Sequence, residues 1–125
     1  MKRYFIMILT VFTSFGFAQK SITVDQLIDE LNKKKDIIIL DVRTEMEVNG
    51  QLKMIEGAIN IPIQELDKRF NELNKFKDKE IYVICRTQNR SAASSAFLNE
   101  KGFNTKFVVG GMVEYYNKLY SKNNK

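Results

Sequence analysis

The residues most able to do chemistry lie around the only cysteine of the chain, Cys85. A thiolate is a strong nucleophile, and arginines follow this cysteine one and five positions later, at Arg86 and Arg90. An apolar run precedes Cys85 and predicts a strand, while the Ala/Ser-rich stretch after Arg90 predicts a helix. The candidate site is therefore a polar loop between a strand and a helix. It consists of Cys85, Arg86, Thr87, Gln88, Asn89, Arg90 and Ser91.

A loop of this kind directs the backbone N–H groups of the first helical turn at the sulfur, and the positive end of the helix dipole adds to them. Together with Arg86 and Arg90, these features favour the thiolate over the thiol and create a place for an anionic substrate. The chain has no histidine, so the nucleophile must form without an imidazole base. The competing interpretation is a buried, inert cysteine at the end of a core strand.

The counts of cysteine and histidine also exclude several kinds of site. One Cys and no His leave no intramolecular disulfide, no Cys/His zinc site and no catalytic triad that uses imidazole. No cofactor is expected. The excess of 20 basic over 15 acidic residues is small, and no stripe of basic and aromatic residues accompanies it, so nucleic acid is not an expected partner.

The first eighteen residues have the pattern of a secretory signal peptide. Lys2 and Arg3 precede an apolar run shorter than the roughly 20 residues that span a bilayer, and small Gly16 and Ala18 precede the expected cleavage point. We expect export to the periplasm or the cell exterior, with no stable membrane anchoring after cleavage. An uncleaved N-terminal anchor is the alternative.

The remainder of the chain predicts one α/β domain over residues 19–120, followed by a flexible tail at 121–125 that lacks apolar side chains. Apolar runs at 37–40, 81–84 and 107–109 are typical of strands buried on both faces of a parallel sheet.

Amphipathic stretches separate these runs and predict the helices. A first helix is expected to begin after Thr23 and to end at the lysines 33–35, and others are expected over 63–73, 91–100 and 112–119. A mostly parallel central sheet with helices on both faces follows, and such sheets bind ligands at the carboxyl ends of their strands. In the helix after Cys85, the side chains expected to face the core are Ala92, Ala93, Ala96 and Phe97.

Four motifs resemble those of the single-domain rhodaneses, in the thiosulfate sulfurtransferase family. Asp41-Val42-Arg43, followed by the acid Glu47, resembles the early motif of that family. Residues 57–62, Gly-Ala-Ile-Asn-Ile-Pro, resemble its second motif, and residues 85–91 resemble its active loop. Gly102-Phe103 and the later residues 110–112, Gly-Gly-Met, resemble its closing motif. The motifs occur in the family's order and span nearly the whole chain after residue 18.

The resemblance implies a persulfide mechanism and a rhodanese-like fold. The thiolate of Cys85 would attack the outer sulfur of thiosulfate or a similar small anionic donor, and sulfite would leave. A thiol or cyanide-like acceptor would then take the sulfur. The substrate-binding residues would be Arg86, Thr87, Gln88, Asn89, Arg90 and Ser91. The spacing from Cys85 to Arg90 matches the sulfur-handling loops of the family rather than the longer loops of related phosphatases and arsenate reductases.

Two features of this site need a separate interpretation. Gln88 stands where the loop of the family usually has glycine, so we expect a conformational cost at this position. Asp41 and Arg43 are expected to form an ion pair that stabilises the fold near the site, because the sulfur-transfer reaction requires no catalytic role from them.

Other functions stay open on the sequence. The main alternative is a catalytically weak rhodanese-like module that binds a partner or senses reactive sulfur. A phosphatase or arsenate reductase is disfavoured by the loop length. A thiol–disulfide oxidoreductase normally needs a second cysteine, and the chain has none. The absence of sustained heptads and of a large apolar stripe favours a monomer.

Overall fold

A computed structural model describes residues 19–33 and 36–125 of the 125-residue chain. The predicted signal peptide at 1–18 lies outside the described residues, as do Lys34 and Lys35 of the lysine triplet. Within the described part of the chain, every helix is too short or too polar to cross a membrane.

Five parallel strands form a single sheet in the order β1-β5-β4-β2-β3. Their bounds are Ser21–Thr23 (β1), Ile38–Asp41 (β2), Ile59–Asn60 (β3), Glu80–Ile84 (β4) and Asn104–Val109 (β5). The predicted α/β class and mostly parallel sheet are confirmed. The sequence predicted β2, β4 and the end of β5, but not the short edge strands β1 and β3, which contain too few residues to show a period.

The middle strand, β4, is buried on both faces, as its apolar run predicted. Ile81 and Val83 point into one core cluster, while Tyr82 and Ile84 point into the other. Successive side chains of a strand face opposite sides of the sheet, so one run of apolar residues supplies both cores. Packing on both faces of the sheet therefore holds this strand in place up to its last residue, Ile84.

The helices are Val24–Asn32 (α1), Glu45–Val48 (α2), Leu66–Arg69 (α3), Asn89–Glu100 (α4) and Gly111–Asn123 (α5). Helices α1 and α5 supply apolar side chains to one face of the sheet, and α3 and α4 supply them to the other. Thr23 and Gln26 form the predicted capping box of α1, in which the Gln26 amide donates to Thr23 Oγ1 at 3.1 Å.

The segment predicted as one helix over 63–73 is divided. Two 3₁₀ helices, Ile63–Glu65 and Phe70–Phe76, flank α3. The apolar residues Phe70, Leu73 and Phe76 recur every third position, which is the period of a 3₁₀ helix. This geometry keeps all three residues against the same core cluster.

Helix α4 turns a different face to the core than the sequence predicted. Ser91, Ser94, Ser95 and Leu98 are buried, whereas Ala93 and Ala96 are exposed and Ala92 and Phe97 are half-buried. Two of these serines have polar partners inside the domain, since Ser95 Oγ contacts Thr105 Oγ1 on β5 and Ser91 lies against Cys85. Among the described residues, Ser94 Oγ is buried without a hydrogen-bond partner. The prediction for Ala93 and Ala96 was wrong because it ranked side chains by polarity alone.

Helix α5 is longer than predicted. It continues from the expected end near residue 119 to Asn123, so most of the segment predicted as a tail at 121–125 is helical. All five of these residues are exposed. The extension does not require apolar contacts, because each residue added to an existing helix forms a further backbone hydrogen bond.

Candidate active site

Cys85 directly follows β4, at the carboxyl edge of the sheet. Its side chain is buried, with 1% of the residue exposed, and it packs in the same apolar cluster as Leu98 and Phe103. The preceding carbonyl, of Ile84, accepts a hydrogen bond from the Val42 amide at 3.0 Å, which ties the ends of β4 and β2 together. The structure thus places the thiol at the predicted edge, but beneath the surface.

The sulfur of Cys85 lies at the N-terminus of α4. The Ser91 amide donates to Sγ at 3.3 Å, and the thiol can donate to Ser91 Oγ at 3.4 Å. Ser91 is the third residue of α4, and the N-cap residue, Gln88, provides no side-chain hydrogen bond. Sγ therefore occupies the place of a capping oxygen, because it accepts one of the amides that a helix leaves unpaired at its start.

The four residues between Cys85 and Arg90 form an exposed rim, defined here as residues 86–89. Gln88 has φ −158° and ψ −17°, which lies outside the left-handed region that favours glycine. Gln88 therefore does not adopt the left-handed conformation for which glycine would be needed. Among the described residues, Ser91 alone donates a backbone hydrogen bond to Sγ, so the rim amides do not converge on the sulfur in this state.

Arg90 is shared between a carboxylate and the cysteine: Glu47 and, more weakly, Cys85 both raise the pKa of Arg90. Its guanidinium forms a two-point ion pair with Glu47, with Nη1–Oε1 at 2.6 Å and Nη2–Oε2 at 2.8 Å. Glu47 also completes a capping box with Thr44 at the start of α2. The Thr-x-x-Glu spacing of residues 44–47 signals the start of a helix that contains Glu47, but it does not indicate the pairing with Arg90.

Helix α5 holds the loop from the other side. The Met112 amide donates to the carbonyl of Cys85 at 2.9 Å, and the next amide donates to the next loop carbonyl at 3.1 Å. Gly111 permits this approach, since a Cβ there would lie 2.3 Å from the carbonyl oxygen of Thr87 and 2.5 Å from that of Cys85. Its φ of +57° also favours glycine.

The predicted ion pair between Asp41 and Arg43 is present and buried, with side-chain exposures of 0% and 1%. Arg43 donates to both carboxylate oxygens of Asp41, and its Nη2–Oδ2 distance is 2.7 Å. The remaining terminal nitrogen donates to the Leu52 carbonyl at 2.7 Å. Asn60 Nδ2 donates to the carbonyls of Asp41 and Arg43, at 2.9 Å each. This network fixes the end of β2 beside the cysteine loop.

Comparison with known proteins decides the family. The chain matches the rhodanese-like domain over residues 23–118, which includes every part of the site described above. The chain belongs to this family. The chain is 32% identical over 104 residues to "Putative sulfurtransferase YtwF" of Bacillus subtilis, with 83% of this chain and 97% of that protein covered.

Two further comparisons place this chain among related proteins. It is 33% identical to "Putative sulfur carrier protein YrkF" of Bacillus subtilis over 78% of this chain but only 51% of that protein. Among solved structures, a rhodanese-related protein from Thermoplasma volcanium superposes with a TM-score of 0.70 at 34% identity, covering 79% of this chain and 92% of the other. Two of these similar proteins thus carry names that refer to sulfur transfer or sulfur carriage.

Within the described residues of the chain, 19–33 and 36–125, no three acidic or cysteine side chains come together as metal ligands. The chemistry that the site can support is that of a single thiol held at a helix start, with an exposed arginine, Arg86, next to it in the chain.

Glu47→Gln tests the ion pair that closes the loop of the rhodanese-like domain. Arg90 lowers the pKa of Glu47 from 4.5 to about 2. Between these values the unfolded chain binds more protons than the folded one, so Glu47 stabilises the fold above pH 4.5 and loses this effect as the pH falls to about 2. Glutamine keeps the capping oxygen and removes the charge. We expect a loss of about 1 kcal/mol near neutral pH.

Urea unfolding of the wild type and the variant across this pH range measures the effect. The difference in unfolding free energy should shrink as the pH falls from 4.5 toward 2. Glu100→Gln, at the exposed end of α4, is the control and should show no such trend. A Glu47→Gln difference that is constant with pH would contradict the assigned ion pair.

Proposed function

We propose that this protein is a sulfurtransferase that moves sulfane sulfur from thiosulfate, or a similar small anionic donor, to a thiophilic acceptor through a persulfide on Cys85. The observation that carries the proposal is the placement of the only cysteine: Sγ lies at the start of α4 and accepts the Ser91 amide. Membership in the rhodanese-like family and the sulfurtransferase name of a relative support it.

The loading step follows from the chemistry of the two sulfurs. The thiolate of Cys85 attacks the outer sulfur of thiosulfate, and a new S–S bond forms at Sγ. The S–S bond of thiosulfate breaks, and its electron pair leaves with sulfite. Charge and atoms balance, because the added sulfur carries the negative charge that Cys85 brought. The Ser91 amide and the dipole of α4 favour that charge.

The transfer step regenerates the thiolate. An acceptor such as a thiol or cyanide attacks the outer sulfur of the persulfide, and the electron pair of the broken S–S bond returns to Sγ. No base is needed at either step, which agrees with the absence of histidine from the chain. Because Cys85 is only 1% exposed, the rim must move for a donor to reach Sγ.

The burial of Cys85 is also the one observation that favours the second candidate, a rhodanese-like module that binds a partner or senses sulfur without turnover. Sulfite release separates the two functions. Mixed with thiosulfate alone, a sulfurtransferase should release a burst of about one sulfite per chain, and added cyanide should make the release continuous.

Each outcome of this experiment has one meaning. A burst followed by turnover in cyanide supports the sulfurtransferase and excludes the sensing module. A burst without any turnover supports the sensing module instead. Protein that releases no sulfite above the buffer control contradicts both functions for this donor.

Export is part of the proposal. It is supported by residues 1–18, in which Lys2 and Arg3 precede a short apolar run that ends in Gly16 and Ala18. Mass measurement of the protein recovered from its own cells should show a chain that begins at Gln19. A chain that retains Met1 would contradict cleavage and favour an N-terminal anchor.

A further inference from the structure

A cleft of about 380 Å³ opens beside the cysteine loop. One wall is formed by the segment 50–52 and the other by α5, which contributes Val113, Tyr116 and Tyr120. Arg86, the first residue of the rim, lines the same cleft. The volume lies in the range of small-molecule sites and is much larger than thiosulfate requires.

The charge in this cleft is positive. The one acidic residue among the described residues that line the cleft is Glu47, and Arg90 neutralises the charge of Glu47 in the two-point ion pair. Arg86 is exposed and has no carboxylate within ion-pair distance in the part of the chain that the structure describes. The cleft therefore presents an aromatic surface together with the guanidinium of Arg86, which no described carboxylate neutralises. Arg86 is the residue that directly follows Cys85 in the sequence.

The walls of the cleft are already held in place. Tyr116 Oη donates to the Lys53 carbonyl at 2.9 Å, which joins α5 to the opposite wall. The Leu52 carbonyl in that wall accepts from Arg43 at 2.7 Å. A ligand would thus meet a preformed surface, with little ordering entropy left to lose on binding.

We infer that this cleft is the acceptor subsite, and that the acceptor is a small thiol that carries a carboxylate on an aromatic or apolar body. This inference rests on the proposed function, since it names the acceptor class of the same reaction. The carboxylate pairs with Arg86, and the body packs against Tyr116 and Tyr120. Thiosulfate has no apolar part and would leave the aromatic wall uncovered, so the cleft suits the acceptor better than the donor.

The step at this subsite is a transfer between sulfurs. The thiolate of the bound acceptor attacks the outer sulfur of the Cys85 persulfide, and an S–S bond forms on the acceptor. The bond between Sγ and the outer sulfur breaks, with its electron pair returning to Sγ. A proton on the outer sulfur stays there, so the products are an acceptor persulfide and the Cys85 thiolate, without net oxidation or reduction.

The test uses protein already loaded with sulfur, so that donor binding does not enter. The full protein is treated with thiosulfate, freed of excess donor and shown by mass to carry the added sulfur. It is then mixed with 4-mercaptophenylacetate or with its neutral amide, whose thiols have similar reactivity. We expect transfer to the carboxylate to be about fivefold faster, the size of a partly exposed ion pair.

Variants test whether the cleft causes the preference for the carboxylate acceptor over its amide. Arg86→Gln should remove the preference for the carboxylate over the amide, whereas Lys68→Gln, the same charge change at an exposed position of α3, should keep it. Tyr120→Ala should slow transfer to the aromatic carboxylate more than transfer to 3-mercaptopropionate, which has no ring. Each readout is a ratio within one loaded protein, so a general loss of activity does not affect it.

Failure of this inference differs from failure of the proposed function. If thiosulfate leaves no sulfur on Cys85, the proposed function is wrong and the acceptor subsite falls with it. If the loaded protein shows no carboxylate preference, or Arg86→Gln keeps it, the subsite is wrong while the sulfurtransferase stands. Transfer to cyanide but to neither aromatic thiol also overturns the subsite and points to a macromolecular acceptor.

Discussion

Gly111→Ala is expected to displace the cysteine loop and to remove most of the sulfur loading. The added Cβ would lie 2.3 Å from the Thr87 carbonyl oxygen, 2.5 Å from that of Cys85 and 2.7 Å from that of Arg86. These contacts are to backbone atoms, so relief requires movement of either the loop or α5. A shift of about 1 Å at a reacting group can cost on the order of a hundredfold in rate.

The matched control is Gly57→Ala. Gly57 also has a positive φ, +82°, but a Cβ added there would have nothing within 4 Å. The control should lose about 1–2 kcal/mol from the left-handed backbone alone. Gly111→Ala should lose about 1–3 kcal/mol more from the overpacking. Urea unfolding and the rate of sulfite release measure the two effects, and equal results for the two variants would contradict the role of Gly111.

Arg43→Met is expected to cost about 3–5 kcal/mol, because it leaves the carboxylate of Asp41 buried without its partner. Both side chains of this pair are almost fully buried, at 1% and 0% exposure. The substitution also removes the donor to the Leu52 carbonyl, so the wall of the cleft beside the loop should loosen. The cost should therefore appear in both the unfolding free energy and the acceptor preference.

Arg69→Met is the control for this prediction. Arg69 pairs with Glu72 at 2.8 Å, but the side chains are 36% and 54% exposed. Water and salt screen such a pair, so the control should lose less than about 1 kcal/mol. The double variant Asp41→Asn/Arg43→Met should lose less than the sum of its single changes. Additive losses, or equal losses for Arg43→Met and Arg69→Met, would contradict the buried pair.

Much of this fold could be predicted from the apolar runs. A strand such as β4, buried on both faces, must be apolar at every position, and residues 81–84 show this directly. The edge strands β1 and β3 left no comparable signal, because three and two residues cannot show a period. Their pairing is decided by contact with neighbouring strands, which a local pattern does not contain.

The site was predicted less completely than the fold. The position of Cys85 at the end of β4 followed from the sequence, as did the ion pair of Asp41 and Arg43. The partner of Arg90 did not, since Glu47 lies 43 positions away in the chain. A charge that follows a cysteine in sequence can also pair with a carboxylate from a distant part of the chain, which a local pattern does not contain.

The inward face of α4 shows the same limit. The alanines of this helix were expected to face the core, yet Ser95 contacts Thr105 and Ser91 contacts Cys85 inside the domain. Small hydroxyl side chains are stable in a core when they find hydrogen-bond partners there, as Ser91 and Ser95 do on Cys85 and on β5. Ser94 Oγ is buried without such a partner among the described residues. Polarity alone therefore assigned the wrong face to this helix.

The most direct test of the persulfide on Cys85 is the intact mass of the reduced protein after brief exposure to thiosulfate, with Cys85→Ser treated in parallel. The wild type should gain one sulfur atom, cyanide should remove it, and Cys85→Ser should gain none. A folded, reduced wild type without an added sulfur would contradict the persulfide on Cys85. An equal gain on Cys85→Ser would contradict it as well.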